Sequence, residues 1–194
     1  MKILADYHTH TIYSHGKGTI EDNVKVAISK GIETIGISDH SYGHLTYGIK
    51  KDDIFKMREE VDFLNEKYKD KIKINVGLEV DYVEGYEEKI KKMLDNYGEY
   101  LDDKGNIDYD EKIGKILDYV MAGYHFGSKP TNFKGLINHA NNYIFKSEKS
   151  KEYNTLAIIN AMKNNDIFVI THPGDKGDVY IEEITKVAKE TNTR

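Results

Sequence analysis

Five strand-like runs alternate with helix-like stretches along this chain, and each run brings a histidine or a glutamate to its C-terminal end. The runs cover residues 2–8, 33–40, 73–81, 119–125 and 167–171. After the first, residues 20–30 place Ile20, Val24, Ala27 and Ile28 on one helical face, with Thr19 as N-cap, Asp22 as its capping-box partner and Gly31 as the stop. Further helices are expected over 54–68 (capped by Asp52 or Asp53), 87–100, 111–117, 133–164 in one or two pieces, and 181–191, with a turn at 102–106. Strands that alternate with helices form βα units, pair in parallel and cross over right-handed. An open doubly wound sheet would spread the polar strand ends along a line. A barrel gathers them around one axis, at the end where βα barrels carry their active sites. The expectation is therefore an α/β barrel, organised as one domain over residues 1–194.

The strand ends carry the chemistry. Side chains at i and i+2 of a strand share a face, so Asp6, His8 and His10 point the same way and two imidazoles can close on one metal ion. The second run ends in Asp39 and His40, Glu79 lies near the end of the third, the fourth ends at His125, and His172 follows the fifth. His15 sits in the glycine-bearing loop 14–18, where Gly16 and Gly18 read as turn residues. Six of the eight histidines fit this one pattern; His44, in a loop, and His139, in a helix, read as ordinary solvated or hydrogen-bonded side chains. Imidazoles and a carboxylate without thiolates suit zinc, iron or manganese, and the chain has no cysteine. Glu79 has two oxygens with which to bridge ions, and a carboxylate on a buried strand needs a charge partner. Ser38-Asp39-His40 contains the letters of a hydrolytic triad, but adjacent strand residues face opposite sides and cannot form a relay. No phosphate-binding glycine loop and no nucleophile elbow is present.

Charge narrows the partners. A net charge of −5 argues against a dedicated nucleic-acid binder, yet leaves room for an anionic substrate, because bound metal ions dominate a local field. Arg58 and Arg194 are the only arginines, so bidentate guanidinium clamps are not the main device for phosphate. Lys17, Lys50, Lys51 and Lys176 are candidates for that contact, although in a lysine-rich chain each reads first as a solvated surface residue. There is no long apolar run and no apolar leader core, so no membrane association is expected and a cytoplasmic location is the default.

The segments His8-Thr9-His10-Thr11, Ser38-Asp39-His40, Gly77-Leu78-Glu79, Gly123-Tyr124-His125 and Thr171-His172-Pro173-Gly174 occur in the order seen in the PHP (polymerase and histidinol phosphatase) superfamily. The chain resembles that family over its whole length, and within it the stand-alone phosphatases of histidinol-phosphatase type. The resemblance implies a distorted (βα)7 barrel with two or three divalent metal sites. His8, His10 and Glu79 would hold a first ion, Glu79, His125 and His172 a second, and His15 with His40 a third; Glu79, His10 and His40 would carry catalysis. It further implies hydrolysis of a small phosphomonoester such as histidinol phosphate through a metal-activated water, with no nucleic-acid partner. One departure stands out. The family pattern closes with an Asp-x-His motif on the last strand, whereas this chain closes with Glu190-Thr191-Asn192-Thr193-Arg194. Its length also falls short of the roughly 250 residues of a typical barrel. The expectation is an incomplete barrel whose fifth strand is an open edge that a second copy of the chain would cover as a homodimer. Two other readings stay open: a metal-binding but catalytically impaired remnant or interaction module, and a phosphodiesterase like the PHP domains attached to DNA polymerases.

Overall fold

The computed structural model describes residues 3–41, 44–50, 52–81, 116–125, 133–144 and 146–194. The chain divides into two compact units, one of Met1–Tyr42, Thr46–Glu79 and Asp110–Val120, the other of Gly43–Leu45, Val80–Tyr109 and Met121–Arg194. Strands β1 (Ala5–Thr9), β2 (Thr34–Ile37), β3 (Lys73–Asp81), β4 (Tyr119–Gly123) and β5 (Val169–Ile170) follow one another in the sheet in the order of the sequence. The pairs β1–β2, β2–β3 and β4–β5 are parallel. That order never reverses, which is the pattern of a singly wound βα array and not of a doubly wound sheet.

In the first unit, helix α1 (Ile20–Ser29) begins with the expected capping box. Asp22 N donates to Thr19 Oγ1 at 3.1 Å, and Thr19 N donates to Asp22 Oδ2 at 2.9 Å. Gly31, at φ 69°, ends it in a left-handed conformation that other residues adopt only with strain. Helix α2 (Asp53–Lys67) buries Ile54, Met57, Val61 and Leu64, spaced three or four residues apart on one face. Asp52, expected as a candidate cap, stands in helical backbone and makes no side-chain cap bond, so α2 starts at Asp53 without one. Arg58 on α2 is buried and committed to structure, donating to Asp118 Oδ2 at 2.9 Å and to Asp62.

β2 and β3 pair in regular register from Thr34–Lys73 to Ile37–Val76. β1 instead fits one extra residue between Asp6, opposite Ile35, and Thr9, opposite Ile37. Under the sheet's polar end lies the ring of Tyr119. A Cβ on Gly77 would stand 2.6 Å from Tyr119 Cε1, and one on Gly36 would stand 2.8 Å from its Cζ. Tyr119 Oη donates to Tyr7 O at 2.6 Å, and the two rings meet edge-on at 5.5 Å. Two glycines thus make room for one aromatic ring that ties β1, β2 and β3 together.

In the second unit, Met121 and Ala122 of β4 face Val169 and Ile170 of β5. The helical stretch expected over 133–164 comes in two pieces, α3 (Phe133–Ile144) and α4 (Glu148–Asn164), with Lys146 between them at φ 41°. α4 is capped by Ser147 and packs on α5 (Ile181–Thr191). α3 inverts the usual pattern. Phe133, Leu136, Ile137 and Ile144 are exposed, while Asn138 and Asn142 are buried. Those amides are satisfied: Asn142 Nδ2 donates to Tyr124 Oη at 3.0 Å, and Asn138 Nδ2 donates to Asn154 Oδ1 at 3.0 Å.

The outer edge of β5 differs from the bare edge expected. Arg194 N donates to Phe168 O at 2.8 Å and Ile170 N donates to Arg194 O at 2.9 Å, the alternation of a parallel ladder, so the last residue of the chain lies on that edge. The fifth strand is also shorter than expected, two residues rather than five. Expected elements over 87–100, 102–106 and 111–115 lie outside the described residues, and Ile116 and Leu117 are not helical. Among the described residues no helix is long and apolar enough to cross a membrane.

Candidate metal centre

The first unit gathers one carboxylate and four imidazoles. His8 on β1 and His10 just past its end turn to the same side, both approaching Glu79, as the i, i+2 spacing predicts. His40 follows β2 and is bridged in parallel to Glu79 on β3, with Glu79 N donating to Asp39 O at 3.1 Å and Ser41 N donating to Glu79 O at 2.8 Å. The Glu79 side chain is fully buried, and three ring nitrogens close on its Oε2: His8 Nε2 at 3.3 Å, His10 Nε2 at 3.4 Å and His40 Nδ1 at 3.3 Å. These approaches are longer than a charge-assisted hydrogen bond, which runs about 2.7–2.9 Å.

His15 reaches the group through a tightly tied loop. Asp39, fully buried, accepts hydrogen bonds from Thr11 N at 2.7 Å, from Thr11 Oγ1 at 2.6 Å and from Ser14 Oγ. Gly16 N donates to Thr11 O at 2.8 Å, and a Cβ on Gly16 would stand 2.6 Å from Thr11 N, so no larger residue fits that crossing. The result sets the His15 ring 4.5 Å from that of His10 and 4.9 Å from that of His40, and His10 and His40 stack at 4.7 Å. Within this unit, two sets of donor atoms each lie within 4.8 Å of one another, His8–His10–Glu79 and His10–His15–His40, with His10 common to both.

The electrostatics keep His10 a neutral donor. Burial, opposed by Glu79 and reinforced by His15 and His8, lowers the His10 imidazole from 6.5 to about 4, so at neutral pH the ring is uncharged. Its Nδ1 is buried without a hydrogen-bond partner among the described residues. A buried ring nitrogen left unbonded, and several imidazoles converging on one buried carboxylate, are what a divalent transition-metal ion would satisfy, and the nitrogen–oxygen donor set suits zinc, iron or manganese.

The second unit brings His125 and His172 together. Their Nε2 atoms face each other at 3.2 Å, and the Nδ1 of His125 meets Asp81 Oδ1 at 2.6 Å. His172 leaves β5 in a left-handed backbone conformation, φ 32°, and Asp175 N closes a turn on its carbonyl at 3.1 Å. His44, read from sequence as a solvated or hydrogen-bonded loop residue, is buried with its ring edge-on to His125 at 5.8 Å. His139 behaves as expected, with Nδ1 2.7 Å from Tyr124 Oη. Among the candidate lysines, Lys176 pairs with Asp175 at 2.7 Å, and Lys51 lies outside the described residues. Two acids were missed by the sequence reading. Asp81 lies two residues beyond Glu79 on the same strand, so the alternation applied to His8 and His10 also puts it on the Glu79 face. Asp39, placed by the sequence at the end of the second strand beside His40 and in a false triad, instead holds the His15 loop through Thr11 and Ser14.

The PHP domain family matches residues 6–192. The chain belongs to the PHP domain family. Among its relatives, a protein of Thermoanaerobacter sp. (strain X514) named probable phosphatase is 32% identical over 197 residues, covering 98% of this chain and 62% of that protein. A probable phosphatase of Tolumonas auensis is 31% identical over 194 residues, covering 99% of this chain and 62% of that protein. The chain thus spans about 62% of the length of these curated relatives. Among solved structures, histidinol phosphate phosphatase from Lactococcus lactis subsp. lactis, complexed with zinc, L-histidinol and phosphate, superposes with a TM-score of 0.63 at 20% identity, over 97% of this chain and 70% of that one. A structure from Listeria monocytogenes superposes with a TM-score of 0.60 at 16% identity, over 96% of this chain and 76% of that one. At such identities the likeness carries the fold, and the expected α/β architecture, a partial barrel of PHP type, is the one this PHP domain has.

Proposed function

We propose that this PHP domain is the core of a metal-dependent phosphatase that hydrolyses a small phosphomonoester, with histidinol phosphate as the first substrate to try. The observation that carries the reading is the closure of His8, His10 and His40 on the single buried oxygen Glu79 Oε2. The names of the relatives support the phosphatase class, and the ligands named with the Lactococcus lactis protein support the substrate. In this reading His8, His10 and Glu79 hold one divalent ion, His15 and His40 take part in another beside His10, and His125 and His172 serve a further ion in the second unit. When bound, the ions supply an activated water and positive charge for the phosphoryl oxygens.

The chain's own residues do the rest. Neutral His10 keeps its ring lone pair available at physiological pH, because burial holds its pKa at about 4. Glu79 presents its buried Oε2 where the imidazoles converge. Asp39 orients the His15 loop, and Gly16 lets that loop cross close to the backbone of His10 and Thr11. Arg58 is tied to Asp62 and Asp118, and the Arg194 guanidinium lies over the Phe168 ring at 4.9 Å, which fits a site whose positive charge comes from ions.

The test is turnover of histidinol phosphate and of a generic phosphomonoester by the purified chain, with added zinc or manganese, for wild type and Glu79→Gln. Hydrolysis that the substitution abolishes supports the reading. Ion binding without any turnover would favour the impaired module, and preferential cleavage of single-stranded DNA would favour the phosphodiesterase.

A further inference from the structure

We infer that Asp81 is a positioning residue for the histidine pair of the second unit: it holds the proton of His125 on Nδ1, which leaves Nε2 as the donor atom turned toward His172 and toward a divalent ion. The inference rests on the metal-dependent reading above, and concerns a residue that reading does not use.

The argument starts from β3. Glu79 and Asp81 are separated by one residue, so they share a face, and Asp81 is as buried as Glu79, each 1% exposed. A carboxylate in such a place is costly unless its oxygens are satisfied. Among the described residues, Asp81 Oδ1 meets the Nδ1 of His125 at 2.6 Å, and Oδ2 is buried with no hydrogen-bond partner. A half-satisfied buried carboxylate is a poor contributor to stability by itself, which points to a purpose beyond packing. A carboxylate only accepts, so the hydrogen in this contact belongs to Nδ1. In the neutral ring the lone pair then sits on Nε2, and that atom faces His172 Nε2 at 3.2 Å. Histidines that bind metal characteristically donate their other ring N–H to a carboxylate or carbonyl, which fixes tautomer and ring orientation and raises the basicity of the ligating nitrogen.

The isosteric change Asp81→Asn separates this role from a purely structural one. An amide can turn its NH2 toward Nδ1, which moves the ring proton to Nε2 and removes the donor. It also relieves a buried charge. Metal-stripped Asp81→Asn is therefore expected to unfold in urea at the same or a higher midpoint than stripped wild type. Its zinc affinity, measured by competition with a chromophoric chelator, is expected to fall about ten- to a hundredfold for the ion that His125→Ala also loses. The ion lost by His10→Ala should bind as before. An unchanged zinc affinity, or loss of all ions together with a collapse of the metal-free protein, would overturn the inference. If the variant does not fold, nitrogen-detected NMR of His125 in metal-free wild type decides: protonation on Nδ1 is expected, and protonation on Nε2 refutes it. Failure of the broader reading looks different, because wild type itself would then bind no zinc or manganese while the His125 tautomer could still be read.

Discussion

Replacing Gly77 with alanine tests whether one ring holds together the strands that carry the candidate centre. The added Cβ would stand 2.6 Å from Tyr119 Cε1, against a comfortable carbon–carbon separation of about 3.5–4.0 Å. The alanine sits on a paired strand and cannot retreat, so the ring has to move by about 1 Å or more. That displacement breaks the Tyr119 Oη–Tyr7 O hydrogen bond of 2.6 Å and spoils the edge-on contact at 5.5 Å. Overpacking costs about 1–3 kcal/mol, the hydrogen bond contributes about 1 kcal/mol, and the aromatic pair contributes about 0.5–1.5 kcal/mol. Gly77→Ala should therefore destabilise by about 3–4 kcal/mol, a large share of the 5–15 kcal/mol typical of a domain. Urea denaturation followed by far-ultraviolet circular dichroism measures it. The decisive variant is the double one: with Tyr119→Ala already in place, Gly77→Ala meets no ring and should cost under about 0.5 kcal/mol. Effects that add in the double mutant would mean that the ring is not what Gly77 accommodates, and the account of the sheet would fall with it.

Three further outcomes are expected. Asp39→Ala leaves the Thr11 and Ser14 donors without their buried acceptor and should cost about 2–4 kcal/mol in urea, whereas Thr11→Val, which removes one of the three bonds, should cost less. In metal-free protein, His10 titrates at about 4 when folded and near its ordinary 6.5 when unfolded. The unfolded chain therefore takes the proton first, and stability that is complete above pH 6.5 declines as pH falls toward 4, by up to about 2–3 kcal/mol, a decline that His10→Gln should flatten. Zinc or manganese at a hundred times its dissociation constant should stabilise the chain by about 2.7 kcal/mol per independent site, removable with chelator, and His8→Ala should shrink that gain; a melting temperature indifferent to metal would contradict the proposed centre.

Much of this architecture is legible in the sequence because its signals are local. Thr19, Asp22 and Gly31 bound α1 by capping chemistry that needs no tertiary partner, and Lys73–Asp81 reads as a strand from Ile74, Val76, Leu78 and Val80 at every second position. His8, His10, His40 and Glu79 converge because strand alternation and a parallel sheet are enough to aim them. Other features depend on packing that a one-dimensional pattern does not carry. The loop holding His44 follows β2 without periodicity, so nothing along the chain tells that its ring ends up buried against His125. α3 exposes Phe133 and Leu136 and buries Asn138 and Asn142, because those amides find Tyr124 and Asn154. Asp52 has the composition of a cap, but the backbone turns helical at that residue and takes the side chain away from the first amides. Asp81 follows from the same alternation rule, two residues past Glu79 on β3.

The Asp39 knot has a consequence for how a centre of this kind is filled. Thr11 and Ser14 close on a buried carboxylate by hydrogen bonds alone, so the loop bearing His15 takes its shape as the polypeptide folds. The ordering entropy of that loop is lost at folding and not when an ion arrives. Loading and unloading then become questions of coordination chemistry, with the donors waiting in place. In the proposed reading, an ion arriving at this centre would meet donors already placed, so replacing one divalent cation by another would not require the loop to be ordered again.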